Sequence, residues 1–276
     1  MQNAHSKNLA KQKCKIARIG FQEEVVPGCF RMELVGDGLT GKPGQFFHIL
    51  CSKEDFSYRI HSLPANILIE KKPILRRPFS IHRLRENGIE ILYKVKGVGT
   101  RILSSLPKQD TLNLLGPCGQ GFRIKETPSI LVGGGMGVAP IFALAESLKF
   151  PSTTCLIGAK TEKELLLIKE FQGLGINMKV ATDDGSCGRK GTVLDLLLSQ
   201  DTTSATIYAC GPLPMLSSII KFAKENKASC QVLMEERMGC GMGGCLCCAL
   251  PTKEGYKKVC KDGPVFDVED LLEIES

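Results

Sequence analysis

The sequence contains no tryptophan and only four tyrosines, and aromatic residues make up 6% of its 276 positions. Its formal net charge of +7 is modest for this length, and the lysines and arginines are spread along the chain. Nucleic-acid binding usually draws on stacking side chains and a concentrated basic face. Their scarcity argues against a nucleic-acid-binding protein, and a weakly positive surface would instead attract an acidic cofactor or partner.

Long apolar runs are also missing, because no stretch approaches the roughly 20 apolar residues that cross a bilayer. The first 15 residues are basic and polar and lack the apolar core of a signal peptide. We therefore expect no membrane span and a cytoplasmic location. The sequence shows no internal repeat and no low-complexity tract, and its 43% hydrophobic and 24% charged residues are ordinary for globular domains.

Cysteine, in contrast, is abundant, with 13 residues. An odd number does not suit a complete disulfide framework, and a reducing cytosol would not maintain one. Eight cysteines are scattered singly between Cys14 and Cys230, where most are interpreted as small buried hydrophobic residues. The other five crowd into the C-terminal segment, and this crowding calls for a chemical explanation. They are Cys240, Cys245, Cys247, Cys248 and Cys260.

Three segments of the chain differ in their patterns. Residues 1–122 contain short strands broken by Gly and Pro, which predicts an antiparallel β-barrel. Residues 123–234 alternate strands with helices, which predicts a doubly wound parallel sheet. Residues 235–276 are rich in Gly and Cys, and they are too few to form a stable core without a cross-link such as a bound metal. The predicted fold is thus α/β plus β, in three domains with these boundaries.

The same patterns predict individual elements. In the first segment, strands are predicted at Cys14–Phe21, Phe30–Leu34, Gln45–Leu50 and Ile89–Val95, with a helix at Thr100–Leu106. The stretch Ser52–Arg76 lacks periodicity and is predicted to be a long excursion from the barrel. In the second segment, strands are predicted at Ile130–Val132, Thr154–Gly158, Met178–Thr182 and Thr206–Cys210. The helices there are predicted at Pro140–Lys149, Glu162–Phe171, Thr192–Leu198 and Pro214–Glu225.

The cysteine cluster carries the most specific signal. Cys240, Cys245 and Cys248 have the spacing C-x4-C-x2-C, and Cys260 follows after eleven residues. The first three match the plant-type ferredoxin spacing for a [2Fe–2S] centre. The spacing favours Cys248 over the adjacent Cys247 as a ligand. The alternatives are a structural zinc site, whose loops usually carry two cysteines each, or a group of free cysteines.

A flavin site is predicted within the first segment. The run Arg77-Pro78-Phe79-Ser80 fits the R-x-[YF]-[ST] pattern of ferredoxin-reductase-like flavoproteins. In this interpretation Arg77 pairs with a pyrophosphate, Phe79 lies along the flavin or ribose, and Ser80 forms a hydrogen bond near the isoalloxazine ring. Read alone, so short a run could also be a surface loop with a capping arginine.

A second element supports the flavin interpretation. The run 97–100, Gly-Val-Gly-Thr, follows a strand and opens a helix. Backbone N–H groups around Gly99 and Thr100 at this helix start would face a phosphate. The preceding strand carries Leu92, Tyr93 and Lys94, which are predicted to line the flavin.

A nicotinamide-dinucleotide site is predicted in the second segment. The glycines of residues 133–137, among them Gly134, Gly135 and Gly137, join the first strand to the first helix. A later strand ends in the run Cys210-Gly211-Pro212. Dinucleotides dock at the carboxyl ends of strands in open α/β sheets, so both runs would face one crevice. The alternative is that these glycines only form turns. Preference for NAD over NADP stays open, since acidic residues at 183–184 and lysines at 160 and 163 argue in opposite directions.

With these motifs, the chain resembles, over nearly its full length, the electron-transfer subunits of NAD-dependent (class 1B) dihydroorotate dehydrogenases, which are relatives of ferredoxin reductases. The resemblance is carried by residues 76–81, 97–100, 133–140 and 210–212, and above all by residues 236–266, which include the cysteine cluster. It implies FAD held by Arg77 to Ser80, Leu92 to Lys94, Gly99 and Thr100. It implies a [2Fe–2S] cluster held by Cys240, Cys245, Cys248 and Cys260.

The resemblance also implies a division of labour. A partner, the FMN-containing catalytic subunit of a heterotetramer, would oxidise dihydroorotate and send electrons through the cluster and FAD to NAD(H). No catalytic acid or base is expected in this chain, because the cofactors carry the chemistry. One alternative is an NAD(P)H:ferredoxin or polysulfide oxidoreductase subunit of the same architecture. The other is a redox-sensing or zinc-stapled binding module without turnover.

Overall fold

The computed structural model describes residues 14–52, 75–148 and 152–273. The predicted excursion Ser52–Arg76 therefore lies, for the most part, outside the described residues. Among the helices in these ranges, none is both long and apolar enough to cross a membrane.

The first part of the chain folds into a closed six-stranded barrel. Its strands are β1 (Cys14–Val26), β2 (Cys29–Val35), β3 (Phe46–Leu50), β4 (Arg77–Arg85), β5 (Gly88–Lys94) and β6 (Thr111–Cys118). They follow the order β1-β2-β5-β4-β3-β6, and every neighbouring pair is antiparallel. Alternate side chains such as Ile49, Ile81 and Ile91 point into the barrel and are fully buried. Helix α1 (Val98–Ser105) follows β5. The predicted antiparallel barrel is confirmed.

The second part forms an open sheet with helices on both faces. Its parallel strands are β7 (Ser129–Gly134), β8 (Thr153–Ala159), β9 (Asn177–Thr182), β10 (Arg189–Lys190), β11 (Thr206–Cys210) and β12 (Ser229–Leu233), in the order β10-β9-β8-β7-β11-β12. Helices α2 (Val138–Ser147) and α3 (Ile168–Gly173) pack on one face, and α4 (Val193–Leu197) and α5 (Leu213–Glu225) pack on the other. The predicted doubly wound parallel sheet is confirmed.

One predicted helix beside this sheet differs from the structure, and two of its strands were not predicted. The helix predicted at Glu162–Phe171 is interrupted: a 3-10 turn covers Glu162–Glu164, and α3 begins only at Ile168. Leu167 breaks the helix with a φ of +61°, while its side chain is buried in the apolar core beneath α3. Burial of that leucine outweighs local helical preference. Strands β10 and β12 were not predicted: β10 has only two residues, and β12 follows closely after α5.

The C-terminal segment is built from short pieces. Strands β13 (Ala249–Thr252) and β14 (Gly255–Lys258) form an antiparallel hairpin. Strand β15 (Val265–Asp267) then pairs antiparallel with β12 at the edge of the parallel sheet. The segment also packs on the barrel, since Phe46, Leu115 and Cys118 share an apolar cluster with Cys248 and Cys260.

The barrel and the sheet meet where β4 packs on α2. The fully buried His82 ring lies 5.2 Å from the Phe142 ring, and its Nδ1 is 3.4 Å from the Ala139 carbonyl. Burial lowers the pKa of His82 to about 3. Next to it, Arg83 forms an ion pair with Glu146 at 3.1 Å and lies 4.5 Å above the Phe142 ring. This contact fixes the flavin motif at the start of β4 relative to the sheet.

Candidate functional site

Four of the five clustered cysteines come together as two pairs. The Sγ atoms of Cys240 and Cys245 are 3.4 Å apart. The backbone N–H of Cys260 donates to the Sγ of Cys248 at 3.5 Å, and both of these cysteines are buried. Cys247, which the spacing predicted not to be a cluster ligand, is exposed.

Backbone N–H groups converge on these sulfur atoms. Cys240 Sγ accepts from the N–H groups of Met242 at 3.5 Å and Cys245 at 3.4 Å. Cys260 Sγ accepts from the N–H of Gly243 at 3.2 Å, so the loop joins the two pairs. Although partial burial acts to raise it, the pKa of Cys240 falls to about 6, because these N–H groups stabilise the thiolate. Burial raises the pKa of Cys260 to about 12.

The paired arrangement fits a [2Fe–2S] cluster, which takes four cysteine thiolates shared between two irons. In the described part of the chain, no three or more His, Cys, Asp or Glu side chains gather around one metal position, so the cysteines are arranged in pairs and not around a single ion. The N–H groups aimed at Sγ atoms supply the hydrogen bonds that such clusters receive from their loops. The donor set and its surroundings therefore fit this cofactor.

Two of the runs predicted to bind the flavin lie beside each other on the barrel. Arg77 begins β4, and a Cβ built on Gly99 of α1 would lie 3.6 Å from its Cγ. The same Cβ would lie 3.5 Å from the Sγ of Cys51, whose pKa burial raises to about 11. The Arg77 guanidinium donates to the carbonyl oxygens of Leu75 at 2.7 Å and Arg76 at 3.1 Å. The sequence-distant runs around Arg77 and Gly99 are thus neighbours.

The start of α1 has the features of a phosphate site. Helix geometry leaves the first N–H groups, those of Val98 and Gly99, without partners inside the helix. The Thr100 hydroxyl accepts from the N–H groups of Lys96 at 2.9 Å and Gly97 at 3.2 Å, which fixes the turn. No atom lies within 4 Å of a Cβ built on Gly97, so the turn faces open space. This space and the exposed lysines at 94 and 96 fit an anionic pyrophosphate.

The aromatic residues of the motif lie deeper than the arginine. Phe79 is 7% exposed and packs edge-on against Tyr93, with ring centroids 5.7 Å apart. The Tyr93 hydroxyl donates to Gln22 Oε1 at 2.9 Å. On the same strand, Leu92 packs into the apolar core shared with α2, whereas Lys94 is exposed. The three residues predicted to line the flavin therefore point to three different environments, and their roles stay predictions.

The glycine runs of the sheet meet at the carboxyl ends of two adjacent strands. Cys210 at the end of β11 is the register partner of Gly133 in β7. A Cβ built on Gly137 would lie 2.2 Å from the Cys210 carbonyl oxygen, so only glycine allows this approach. A Cβ built on Gly134 would lie 3.2 Å from Pro212 Cδ, and one built on Gly211 would lie 3.3 Å from the Cα of Gly134. Gly135 faces open space, and burial raises the pKa of Cys210 well above its usual value. The crevice fits the docking place of a dinucleotide.

The acidic run after β9 is arranged by a neighbouring serine. Asp184 Oδ1 accepts from the Ser186 N–H at 2.9 Å and hydroxyl at 2.6 Å. These hydrogen bonds lower the pKa of the exposed Asp184. The carboxylate therefore stays charged at neutral pH, and the preference for NAD over NADP stays an open prediction.

One buried residue beside the cluster loop was missed from the sequence. His48 in β3 is fully buried, and a Cβ built on Gly241 would lie 2.3 Å from its Nδ1. Burial and the nearby charge of Arg76 lower its pKa, although the backbone of Cys240 and Arg76 acts in the opposite direction. A single histidine in an apolar strand gives no sequence signal, because its neighbour in space is almost 200 positions away.

Comparison with known families agrees with this layout. The family described as "Iron-sulfur cluster binding domain of dihydroorotate dehydrogenase B" matches residues 235–272. The family described as "Oxidoreductase NAD-binding domain" matches residues 131–221. The two matches fall on the cysteine segment and on the parallel sheet.

Similar proteins and structures extend the match over the chain. The electron transfer subunit of dihydroorotate dehydrogenase B (NAD(+)) from Caldanaerobacter subterraneus subsp. tengcongensis is 36% identical, over 93% of this chain and 97% of its own. The Bacillus mycoides counterpart is 35% identical, over 91% and 95%.

Among solved structures, the NADH-dependent reduced ferredoxin-NADP oxidoreductase aligns with a TM-score of 0.77 and 26% identity, over 93% of this chain and 90% of its own. The FAD/NAD-binding domain of a Vibrio cholerae nitric oxide dioxygenase shares the fold, with a TM-score of 0.66 and 18% identity over 79% and 98%. From its barrel, its parallel sheet, its paired cysteines and these matches, the chain belongs to the family of dihydroorotate dehydrogenase B electron transfer subunits.

Proposed function

We propose that the chain carries electrons between a flavin-containing partner and NAD, within a dihydroorotate dehydrogenase, using FAD and a [2Fe–2S] cluster. The single observation that carries this proposal is the two pairs of cysteines, in a segment matched to the cluster-binding domain of that enzyme. The bound flavin supplies the conversion between hydride chemistry and single-electron transfer.

Each cofactor has its proposed residues. Cys240, Cys245, Cys248 and Cys260 ligate the cluster. The N–H groups of the loop stabilise its sulfur atoms, and Cys247 takes no part. FAD is held by Arg77, Pro78, Phe79, Ser80, Leu92, Tyr93, Lys94, Gly99 and Thr100. NAD(H) docks at Gly134, Gly135, Gly137, Cys210, Gly211 and Pro212.

The proposed domains are a barrel at 1–122, a nucleotide domain at 123–234 and a cluster module at 235–276. The second and third domains share a sheet, because β15 of the cluster module pairs with β12 and forms the edge of the nucleotide sheet. The module therefore depends on its neighbours for its fold, and we do not expect it to fold when expressed alone.

The proposed partner is an FMN-containing catalytic subunit, in a heterotetramer. The cluster loop supports a protein contact because Leu246 is 70% exposed and Met242 is 51% exposed on either side of Cys245. Apolar side chains grouped on a surface commonly mark interaction sites. Electron transfer also requires short separations between cofactors, so a partner's flavin must approach this loop.

The test uses the chain with and without its partner. The isolated chain, loaded with its cofactors, should reduce an artificial acceptor with NADH and should not oxidise dihydroorotate. Addition of the FMN subunit should produce dihydroorotate-dependent NAD+ reduction. Dihydroorotate oxidation by the isolated chain would contradict the proposal.

A second candidate is a subunit that exchanges electrons with ferredoxin and a nicotinamide nucleotide. The observation that favours it is the alignment with the NADH-dependent reduced ferredoxin-NADP oxidoreductase over 93% of this chain. Co-purification distinguishes the two, because a partner that contains no FMN and does not oxidise dihydroorotate would favour the ferredoxin-linked function.

A further inference from the structure

His48 is a fully buried polar side chain without a hydrogen bond. Neither Nδ1 nor Nε2 completes a hydrogen bond in the described ranges, 14–52, 75–148 and 152–273, although the backbone of Cys240 and Arg76 lies near enough to act on its pKa. A neutral imidazole always carries one N–H, and a buried donor left unpaired costs about 1–3 kcal/mol. A ring kept in this position would therefore gain from a closer acceptor on the side of Cys240.

The ring lies against the cluster loop. Gly241 follows Cys240, has a φ of +71°, and leaves room for the ring only because it has no Cβ. Any other residue there would meet both a left-handed backbone and a contact 2.3 Å from Nδ1. The loop that carries Cys240 is thus shaped around His48.

The strand that carries His48 also borders the flavin motif. In β3, Phe47 and Ile49 point into the barrel core, so His48 points to the opposite face. Its register partner in β4 is Pro78, and Ser80 is paired with Phe46 on the same outer face. His48 therefore stands between the flavin motif and the cluster loop.

The backbone of His48 is fixed by Arg76. The Arg76 guanidinium donates to the His48 carbonyl at 3.3 Å and to the Asn113 carbonyl at 2.7 Å. These bonds join β3 to β6 beside the loop. The backbone position of His48 is consequently set by the barrel and does not depend on the loop itself.

We propose that the His48 ring donates its N–H to the sulfur shell of the cluster on the Cys240 side, acting as a positioning residue between the barrel and the cluster. A hydrogen bond to cluster sulfur stabilises the more negative, reduced state and so raises the reduction potential. This inference rests on the proposed cluster ligands. It adds a residue that neither spacing nor the cysteine motif indicates.

The first experiment detects the contact directly. The full chain in complex with its partner is produced with 15N-labelled histidine, the cluster is reduced, and pulsed EPR measures couplings to 15N. We expect a histidine coupling in the unsubstituted protein, its loss in His48→Leu and its retention in His82→Leu. His82 is the matched control, because it is equally buried in a barrel strand but packs on α2.

The second experiment measures the potential by redox titration. His48→Leu should make reduction of the cluster about tenfold less favourable, which is about 59 mV for one electron. His48→Gln, which keeps an N–H donor, should restore most of that shift, whereas His82→Leu should leave the potential unchanged. If His48 only filled space, the glutamine and leucine variants would have the same reduction potential.

Several outcomes overturn the inference. These are the absence of a histidine coupling in the unsubstituted protein, a coupling that persists in His48→Leu, or an unchanged potential in a His48→Leu protein that holds its cluster. If His48→Leu does not assemble a cluster, the 15N-histidine spectra of the unsubstituted protein and of His48→Gln are compared instead. The histidine coupling should be present in the first and absent from the second. Failure of the proposed function is separate, since it would show as missing iron and missing visible absorption before any coupling is measured.

Discussion

In the parallel sheet, Gly133 and Cys210 are brought together by five consecutive register pairs between β7 and β11. In the cluster segment, the described strands are only three or four residues long, and the paired cysteines lie mainly on the turns around them. The sheet thus positions its residues through backbone ladders and an apolar core. The cluster segment positions its residues through sulfur contacts and through strands and side chains of its neighbours.

This difference has a thermodynamic meaning. A site at strand ends is already formed when the sheet folds, so its ligand adds little to the fold. A short segment without its own core gains much of its stability from the metal that its residues bind. We therefore expect substitutions in the cluster segment to act on cofactor content, and substitutions in the barrel and sheet to act on stability and ligand affinity together.

The largest effect is expected from Cys248→Ser. Cys248 is 1% exposed and pairs with Cys260, so a weaker oxygen ligand in a buried position should remove the cluster. Transfer from dihydroorotate to NAD+ should then be lost completely, whereas reduction of a dye by NADH should stay largely intact, as long as FAD remains bound. Iron analysis and the two assays measure this.

Cys247→Ser is the matched control for that prediction. Cys247 adjoins Cys248 in the sequence but is exposed, so its variant should keep both iron and activity. Iron retained in Cys248→Ser and lost in Cys247→Ser would reverse the assigned ligand and would show that the loop is arranged differently.

A smaller effect is expected from Arg77→Ala in the barrel. A guanidinium that binds pyrophosphate contributes about 1.5–3 kcal/mol through charged hydrogen bonds. Its loss should weaken FAD binding about 10- to 100-fold. Equilibrium dialysis or flavin fluorescence measures the dissociation constant.

Arg76→Ala separates structure from binding at the adjacent position. Arg76 donates to backbone carbonyls of β3 and β6, so its removal should lower the free energy of unfolding by about 1–3 kcal/mol. Its FAD affinity should change much less than that of Arg77→Ala. If Arg76→Ala is instead the variant that loses FAD, the predicted register of the motif is wrong.

Gly137→Ala tests the backbone approach in the sheet. The new Cβ would lie 2.2 Å from the Cys210 carbonyl oxygen, so the turn before α2 must move away from the end of β11. We expect a loss of about 1–3 kcal/mol in stability and a higher KM for NADH, with FAD content unchanged. Gly173→Ala, where the added Cβ meets nothing within 4 Å, should have neither effect.

The effect that is smallest at neutral pH, because it develops only below pH 6.5, is a pH dependence at the contact of barrel and sheet. The folded pKa of His82 is about 3, below its ordinary 6.5, so the unfolded chain binds one more proton between these values. The stability that neutral His82 contributes is fully present above pH 6.5 and is lost as the pH falls toward 3. His82→Leu should reduce the acid slope of the unfolding free energy by up to about 1.4 kcal/mol per pH unit. Equal slopes in both proteins would show that His82 is not held neutral.

The sequence alone determined the features that depend on local spacing. The alternation of strands and helices predicted the parallel sheet, and strand β11 (Thr206–Cys210) has the bounds predicted for it. The C-x4-C-x2-C run predicted the cluster type, because its ligands come from one loop and their spacing is local. The flavin and nicotinamide motifs likewise come from single runs of residues, and the contacts assigned to them stay predictions.

Only the tertiary structure decided which distant residues meet. Leu167 takes a left-handed backbone that breaks the predicted helix, β15 crosses to pair with β12, and His48 packs on Gly241. The pairing of Cys248 with Cys260 across the β13–β14 hairpin belongs to the same class. Such contacts join residues that are far apart in the sequence, and they depend on burial summed over many residues. Local periodicity and spacing contain no information about either.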